Sequence, residues 1–323
     1  MEIAKLLKPI EEPLIEVEER IRRDLFSEAR EMGELILHVS RFKGKRLRPA
    51  LLLLSGSCSG KLTPQHIDLA TVVELIHIAT LIHDDVIDDA TMRRHAPSVN
   101  SKWGREISIL FGDYIFSRAF TILSSLDSHL ASTMLSQTVN VMCEGELVQL
   151  LRRYDAELSE EEYIDIIERK TASLCASSCR LGSIFAGVNR SISEALGVFG
   201  LRVGTAFQIV DDCLDIIGSE NKMGKSLYSD SKNGKLTLPL IRLVSLLPEN
   251  RRENACELIF QSNFTNTRGA VVELLSEHDA IEYALEAARQ TIKKGKETIS
   301  LIPESEYKTA LLGMADYVVS RKE

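Results

Sequence analysis

The stretch richest in chemical potential is Leu81-Ile82-His83-Asp84-Asp85-Val86-Ile87-Asp88-Asp89, with four carboxylates in six positions. The segment before it, Val72 to Ile82, is apolar and reads as a buried helix. Residues three and four apart are neighbours on a helix, so Asp84 and Asp88 share a face and Asp85 and Asp88 nearly do. Carboxylates this close repel one another and favour a proton or a cation. Their hard oxygens suit Mg²⁺, which keeps part of its water shell and bridges to substrate phosphates. The spacing recurs far downstream. Asp211-Asp212-Cys213-Leu214-Asp215 repeats D-D-x-x-D after the apolar run Ala206 to Val210. One copy alone reads as a solvated helix end. Two copies, each closing an apolar segment, predict two helices facing one cavity with metal between their carboxylates.

Basic residues recur in the loops and helices around these motifs. Lys43-Gly44-Lys45-Arg46-Leu47-Arg48-Pro49 leads directly into a helix, and a basic turn at a helix N-terminus is an anion site. Arg93-Arg94 follows the first aspartates, and Lys170-Thr171 interrupts an apolar helical face. A loop from Lys222-Met223-Gly224-Lys225 to Lys232-Asn233-Gly234-Lys235 has the glycines and lysines of a lid over phosphates. Each alone is as well explained by a solvated surface, and Lys170 by snorkelling to solvent. Together they form a set. The carboxylates need cations, the cations and basic side chains need a polyanion, and the apolar helices offer a tunnel. A diphosphate head on a hydrocarbon tail satisfies all three.

The elements that must position these groups are helices. Nearly every segment has helical periodicity and hairpin signals are missing. Helices are predicted near 13–38, 48–58, 64–89, 105–125, 128–153, 160–186, 192–217, 238–247, 250–261, 267–276, 279–300 and 304–320. Thr63 is an N-cap with Pro64 at the first helical position. Ser159 and Glu162 fit a capping box, and Pro239 opens a helix. The long non-helical stretches, about 90–104 and 218–237, each follow an aspartate motif, which puts both at the cavity mouth. The expected fold is all-α, a single large helical domain over 1–323 with a flexible segment at 1–13.

Composition narrows the class. Of 323 residues, 44% are apolar and 27% charged, enough to bury a core. A net charge of −8 argues against nucleic acid as the main partner. Met1-Glu2-Ile3-Ala4-Lys5 lacks the basic-then-apolar pattern of a signal peptide, and no apolar run approaches the ~20 residues of a membrane span. A cytoplasmic location is expected. The six cysteines form no C-x-x-C pair, which disfavours zinc and disulfides. Cys175 and Cys179 read as small core residues.

From about residue 15 onward the chain resembles the all-trans isoprenyl (polyprenyl) diphosphate synthases. The matching pieces are Gly44-Lys45-Arg46-Leu47-Arg48-Pro49, His77 within Glu74-Leu75-Ile76-His77, both D-D-x-x-D motifs, Arg93-Arg94, Gly112-Asp113-Tyr114 and Lys170-Thr171. Gly204-x-x-Phe207-Gln208-x-x-Asp211-Asp212 and Gly234-Lys235-x-Thr237-Leu238-Pro239 complete the set. The resemblance implies helices around a central cavity and a homodimer. It implies that Asp84, Asp85, Asp88, Asp211, Asp212 and Asp215 hold Mg²⁺, about three ions with substrate bound, on an allylic diphosphate. Arg93, Lys170, Lys225 and Lys235 would contact that diphosphate, with Thr171 beside Lys170. Lys45, Arg48, His77 and Arg94 would bind isopentenyl diphosphate, and Gln208 would lie near the reacting carbons. The product would partition into membranes. The chain departs from the pattern at Lys43, His95, Ser226 and Tyr228. His95 and Tyr228 stand where glycine is usual, which questions loop geometry because glycine tolerates backbone angles that other residues avoid.

Three other readings are weaker. A histidine–aspartate phosphohydrolase would use His83-Asp84 but needs further histidines, and Val210 stands where one would help. A class I terpene cyclase usually carries Asn, Ser/Thr and Glu in its second metal motif. A non-catalytic subunit of a heteromeric synthase typically loses aspartates, and none is lost here, although a catalytic subunit of such a pair remains an alternative. Product length depends on the residues behind Asp84. One helical turn, ~5.4 Å, spans about one isoprene unit. One turn back stand Ala79 and Thr80, both small, and farther back Ile76. Short-chain family members commonly place a bulky aromatic at the Ala79 position or add two residues to the first motif. This chain does neither, which implies a product of about six to eight units, about C30–C40. A geranylgeranyl or farnesyl product is the alternative.

Overall fold

The computed structural model describes residues 3–40, 46–218, 229–260 and 264–321. Its helices are α1 (Ile3–Leu7), α2 (Glu11–Leu25), α3 (Arg30–Ser40), α4 (Leu47–Ser59), α5 (Pro64–Ile87), α6 (Val99–Trp103), α7 (Arg105–Ser125) and α8 (His129–Leu151). Next come α9 (Glu160–Ile167), α10 (Ser173–Phe185), α11 (Arg190–Ile217), α12 (Ser229–Lys232) and α13 (Leu238–Leu246). The chain ends with α14 (Glu249–Phe260), α15 (Phe264–Glu277), α16 (Ala280–Thr298) and α17 (Glu306–Ser320). The long helices α4, α5, α10 and α11 pack on one another, with α7 against α5 and α16 against α11.

Local chemistry sets the helix starts. Pro64 opens α5, and the Thr63 N–H is accepted by His66 Nδ1 at 3.0 Å. The other His66 nitrogen reaches the Gly182 carbonyl at 3.0 Å, so this buried ring both caps α5 and ties it to α10. Ser159 and Glu162 form the expected reciprocal capping box on α9. Apolar side chains close the core. Leu51 to Leu54 on α4 and Leu69, Leu75 and Ile76 on α5 have no exposed surface.

Four features differ from the sequence reading. The helix expected over 13–38 is two, because Phe26 leaves helical geometry with ψ 138° and Ser27 Oγ accepts the Ala29 N–H. Such local hydroxyl bonds compete with helix continuation. The helix expected over 160–186 holds one π turn, Glu168–Ala172. A small hairpin pairs Met92–Arg93 with Ala96–Pro97. Its two turn residues, Arg94 and His95, take φ 51° and 65°, the double left-handed geometry of a type I′ turn that usually selects Asn-Gly. The backbone angle that glycine would supply at His95 is therefore reached without it. Finally, residues 3–10 are packed rather than loose. Leu6 and Ile10 are buried, and Leu6 lies on α17 where Gly313 has no side chain.

Candidate active site

Helices α5 and α11 each end in an aspartate motif. A helix C-terminus carries the negative end of the macrodipole, so the carboxylates concentrate negative charge where it is least favourable unless a cation answers it. Basic and hydroxyl groups answer it here. Asp85 is 1% exposed and bonds the Arg93 guanidinium, with Nε to Oδ1 at 2.8 Å. Asp88 accepts from Lys235 Nζ at 2.7 Å and Arg153 Nη2 at 2.8 Å. Asp84 is half-buried. In the second motif, Asp211 pairs with Arg321 Nη2 at 2.7 Å. Asp212 accepts from the Tyr163 hydroxyl at 2.7 Å and Gln208 Nε2 at 2.8 Å. Asp215 lies 3.5 Å from the Asp230 N–H.

The six carboxylates fall into two classes. Asp85, Asp212 and Asp215 are buried, whereas Asp84, Asp88 and Asp211 keep part of their surface open. Burial pushes Asp212 up to about 7, helped by the nearby Asp230 charge, while its two hydrogen bonds pull the other way. Burial also raises Asp85, against the pull of Arg93.

One cavity adjoins the first motif and another the second. The first is lined by Glu74, His77, Asp85, Arg93 and Arg94 with apolar Ile78, Leu81 and Ile82. His77 is held well below its ordinary pKa by burial and then by the charges of Arg48, Arg94, Arg93 and Arg46, so its ring is neutral. Glu74 is buried and accepts Arg46 Nη1 at 2.6 Å. The other cavity is lined by Gln149, Lys170, Thr171, Gln208, Asp212, Asp230, Lys235 and Thr237. Burial works to lower the Lys170 pKa, but the charges of Asp84, Glu146 and Asp88 outweigh it and raise it. Lys235, 5% exposed, stands between Asp88 and Asp230, 3.8 Å from the latter. Lys170 and Lys235 thus feel the charge of the first motif while lining a cavity with Asp212, and so link the two aspartate clusters.

The structure brings together His77, Arg93 and Arg94 in one cavity and Lys170, Thr171, Gln208 and Lys235 in the other. Arg48 is buried near His77. Lys45 and Lys225 lie outside the described residues, as does Tyr228. Ala79 and Ile76 are fully buried on α5, and Thr80 is half-buried with its hydroxyl on the His77 carbonyl at 2.8 Å. Neither cavity is lined by these three. Sequence reasoning missed Tyr163, Arg153, Glu146 and Arg321. Tyr163 carried a signal, standing two turns before Lys170 on one helix face. Arg321 carried none, because nothing local marks a C-terminal arginine as reaching Asp211.

The donor set fits Mg²⁺. Among the described residues, no three His, Cys, Asp or Glu side chains form a ready cage. Mg²⁺ does not require one, since it binds through one or two carboxylates and completes its shell with water and substrate phosphate. Partly open Asp84, Asp88 and Asp211 offer hard oxygens of that kind.

Residues 29–277 match the family model described as polyprenyl synthetase. The chain belongs to the polyprenyl synthetase family. It is 35% identical over 320 residues to the octaprenyl diphosphate synthase of Haemophilus influenzae, covering 99% of this chain and 96% of that one. It is also 35% identical over 288 residues to the geranylgeranyl diphosphate synthase of Methanosarcina mazei, covering 86% of each. The crystal structure of a polyprenyl synthase from Caulobacter crescentus, complexed with calcium and isoprenyl diphosphate, superposes with a TM-score of 0.94 at 33% identity. It covers 100% of this chain and 98% of that one. This polyprenyl synthetase is accordingly a trans-prenyltransferase, and its all-α architecture is that of its relatives.

Proposed function

We propose that this enzyme condenses isopentenyl diphosphate with an allylic diphosphate, with Mg²⁺, and repeats the step to a long all-trans product of about C30–C40. The observation that carries the reading is the pair of cavities, one beside each aspartate helix. One is rich in arginine around a neutral His77, and the other holds Lys170 and Lys235 among carboxylates. Two anionic substrates placed there would be joined through the first motif by the Lys235–Asp88 pair.

Asp84, Asp88 and Asp211 are assigned to the metal, with buried Asp85, Asp212 and Asp215 shaping the site behind them. The Caulobacter crescentus polyprenyl synthase is complexed with calcium, a hard cation of the same class, which supports a hard divalent ion for this enzyme. When bound, Mg²⁺ supplies Lewis-acid neutralisation of the departing diphosphate. Lys170 and Lys235 add fixed positive charge where the leaving oxygen gains negative charge, a preorganised effect that costs no reorganisation. The allylic C–O bond breaks to give diphosphate and a cation. The alkene electrons of isopentenyl diphosphate form the new C–C bond. Proton loss to the released diphosphate restores the double bond. Arg94 and His77 orient the second substrate, and apolar Ile78, Leu81 and Ile82 exclude water that would quench the cation.

Length rests on small Ala79 behind Asp84. The two relatives above make products of different length at equal identity, so the product itself decides. Purified enzyme assayed with isopentenyl diphosphate and several primers is expected to give products of about six to eight units, lost on chelation of Mg²⁺. A product of three or four units refutes the length, and turnover in chelator refutes the metal. Ala79→Phe is expected to shorten the product; an unchanged product from an active variant places Ala79 away from the tail.

A homodimer is part of the same reading. Helix α7 is the one described helix long and apolar enough, by length and composition, to cross a membrane. Its Ile107, Ile109 and Leu110 are exposed, as are Leu147 and Leu151 on α8. Arg105, Glu106, Asp113 and Arg118 interrupt α7 with charge. That mixture suits a second protein surface better than lipid.

A further inference from the structure

Asp212 is held differently from the other paired aspartates. Asp85, Asp88 and Asp211 are each met by an arginine or lysine. Asp212 is met by two neutral donors, one on each oxygen: the Tyr163 hydroxyl on Oδ2 and Gln208 Nε2 on Oδ1. The chain of bonds continues. Gln208 Oε1 accepts the Thr171 hydroxyl at 3.0 Å. In its ionised form Asp212 only accepts, so it takes the nitrogen end of the Gln208 amide while the Thr171 hydroxyl donates to the oxygen end.

The geometry points to Tyr163 as a positioning residue: its hydroxyl clamps Asp212, and Asp212 in turn orients the Gln208 amide that lines the reaction cavity with Lys170 and Lys235. Three observations support this. Tyr163 is 2% exposed, so its ring is fixed by packing and its hydroxyl cannot swing to solvent. Asp212 has both oxygens occupied and is 4% exposed, so its place is a bracket rather than an open ligand. Tyr163 stands before the π turn Glu168–Ala172 and Thr171 within it, and both ends of the bonded chain therefore hold that turn against α11. Partners that orient metal-ligating side chains change function by about 10–100-fold when removed, and a loss of the same order is expected for a partner that orients an amide in the reaction cavity.

This inference rests on the prenyl-transfer reading, and the test separates the two. Wild-type enzyme lacking turnover with isopentenyl diphosphate and an allylic primer defeats that reading. With active wild type, Tyr163→Phe keeps the ring and removes one hydroxyl. The expected result is a kcat lower by about 10-fold or more, with both KM values within about twofold and a folded, dimer-competent protein by circular dichroism and light scattering. Combined with Gln208→Ala, Tyr163→Phe is expected to add no further loss, since it acts through that amide. Unchanged kcat in Tyr163→Phe, a loss carried by KM alone, or multiplied losses in the double variant overturn the proposal. Should Tyr163→Phe not fold, Asp212→Ala takes its place, because it removes both acceptor oxygens; it carries the same expectation and the same overturning results.

Discussion

Lys235 and His77 show how single side chains are set by their surroundings. Lys235 is buried between Asp88 and Asp230. Lys235→Ala removes a cation from the cavity of Lys170 and is expected to lower kcat on the order of 10²-fold, with KM for isopentenyl diphosphate little changed. Steady-state kinetics in both substrates checks it, and equal effects on both KM values argue against separate sites. His77 is different because burial and four arginines depress its pKa. A histidine with a depressed pKa stays neutral down to more acid pH than a free one, so it gains no charge between pH 8 and 6. His77→Gln keeps neutral hydrogen-bonding capacity. Its KM for isopentenyl diphosphate is expected to follow the wild-type pH profile, while His77→Ala raises that KM. A wild-type KM that changes near pH 6.5, the usual histidine pKa, with the change lost in His77→Gln, would show that the ring does titrate.

At the scale of elements, the π turn Glu168–Ala172 is gripped from two sides. A Cβ at Gly204 on α11 would stand 2.6 Å from Ala172 Cα, and one at Gly145 on α8 would stand 2.7 Å from the Lys170 backbone nitrogen. These glycines let two helices touch the backbone that carries Lys170 and Thr171. A π turn inserts a residue into a helix and re-aims the side chains beyond it, and such turns collect at functional sites. Gly204→Ala is expected to cost about 1–3 kcal/mol by overpacking and to lower kcat beyond what the stability loss explains, because Lys170 moves with its turn. Denaturation and kinetics on the same preparation test this. A destabilised variant with unchanged kcat at low temperature would show that the glycine serves packing alone.

For the whole molecule, the exposed apolar residues of α7 and α8 form the surface that the dimer proposal uses. Leu110 is 68% exposed, so Leu110→Asp leaves the core untouched. It is expected to shift the protein from dimer to monomer by light scattering, with normal helix content. A dimer that survives both Leu110→Asp and Leu151→Asp places the interface elsewhere. The first and last described helices also meet at this scale. Helix α1 packs on α17 through Leu6 and Gly313, and Arg321 just past α17 reaches Asp211 and lies over the Phe207 ring at 4.0 Å.

The sequence by itself determined the helices and the two aspartate clusters. Helical periodicity, Pro64 and the Ser159–Glu162 box are local signals, and the D-D-x-x-D spacing is a rule of one helix face. It also marked Lys170, Gln208 and Lys235, whose neighbours in sequence resemble a known family. Tertiary structure alone decided which carboxylates are buried, since Asp84 and Asp85 are adjacent and chemically identical until α5 meets its neighbours. It decided that Arg93 binds Asp85 and that Tyr163, Arg153 and Arg321 serve the aspartates. Those partners lie 8, 49, 65 and 110 positions from the carboxylates they bond. Of these separations only the shortest spans a single turn and loop. The others depend on how long helices pack, and packing is set by the summed burial of many apolar side chains rather than by any motif.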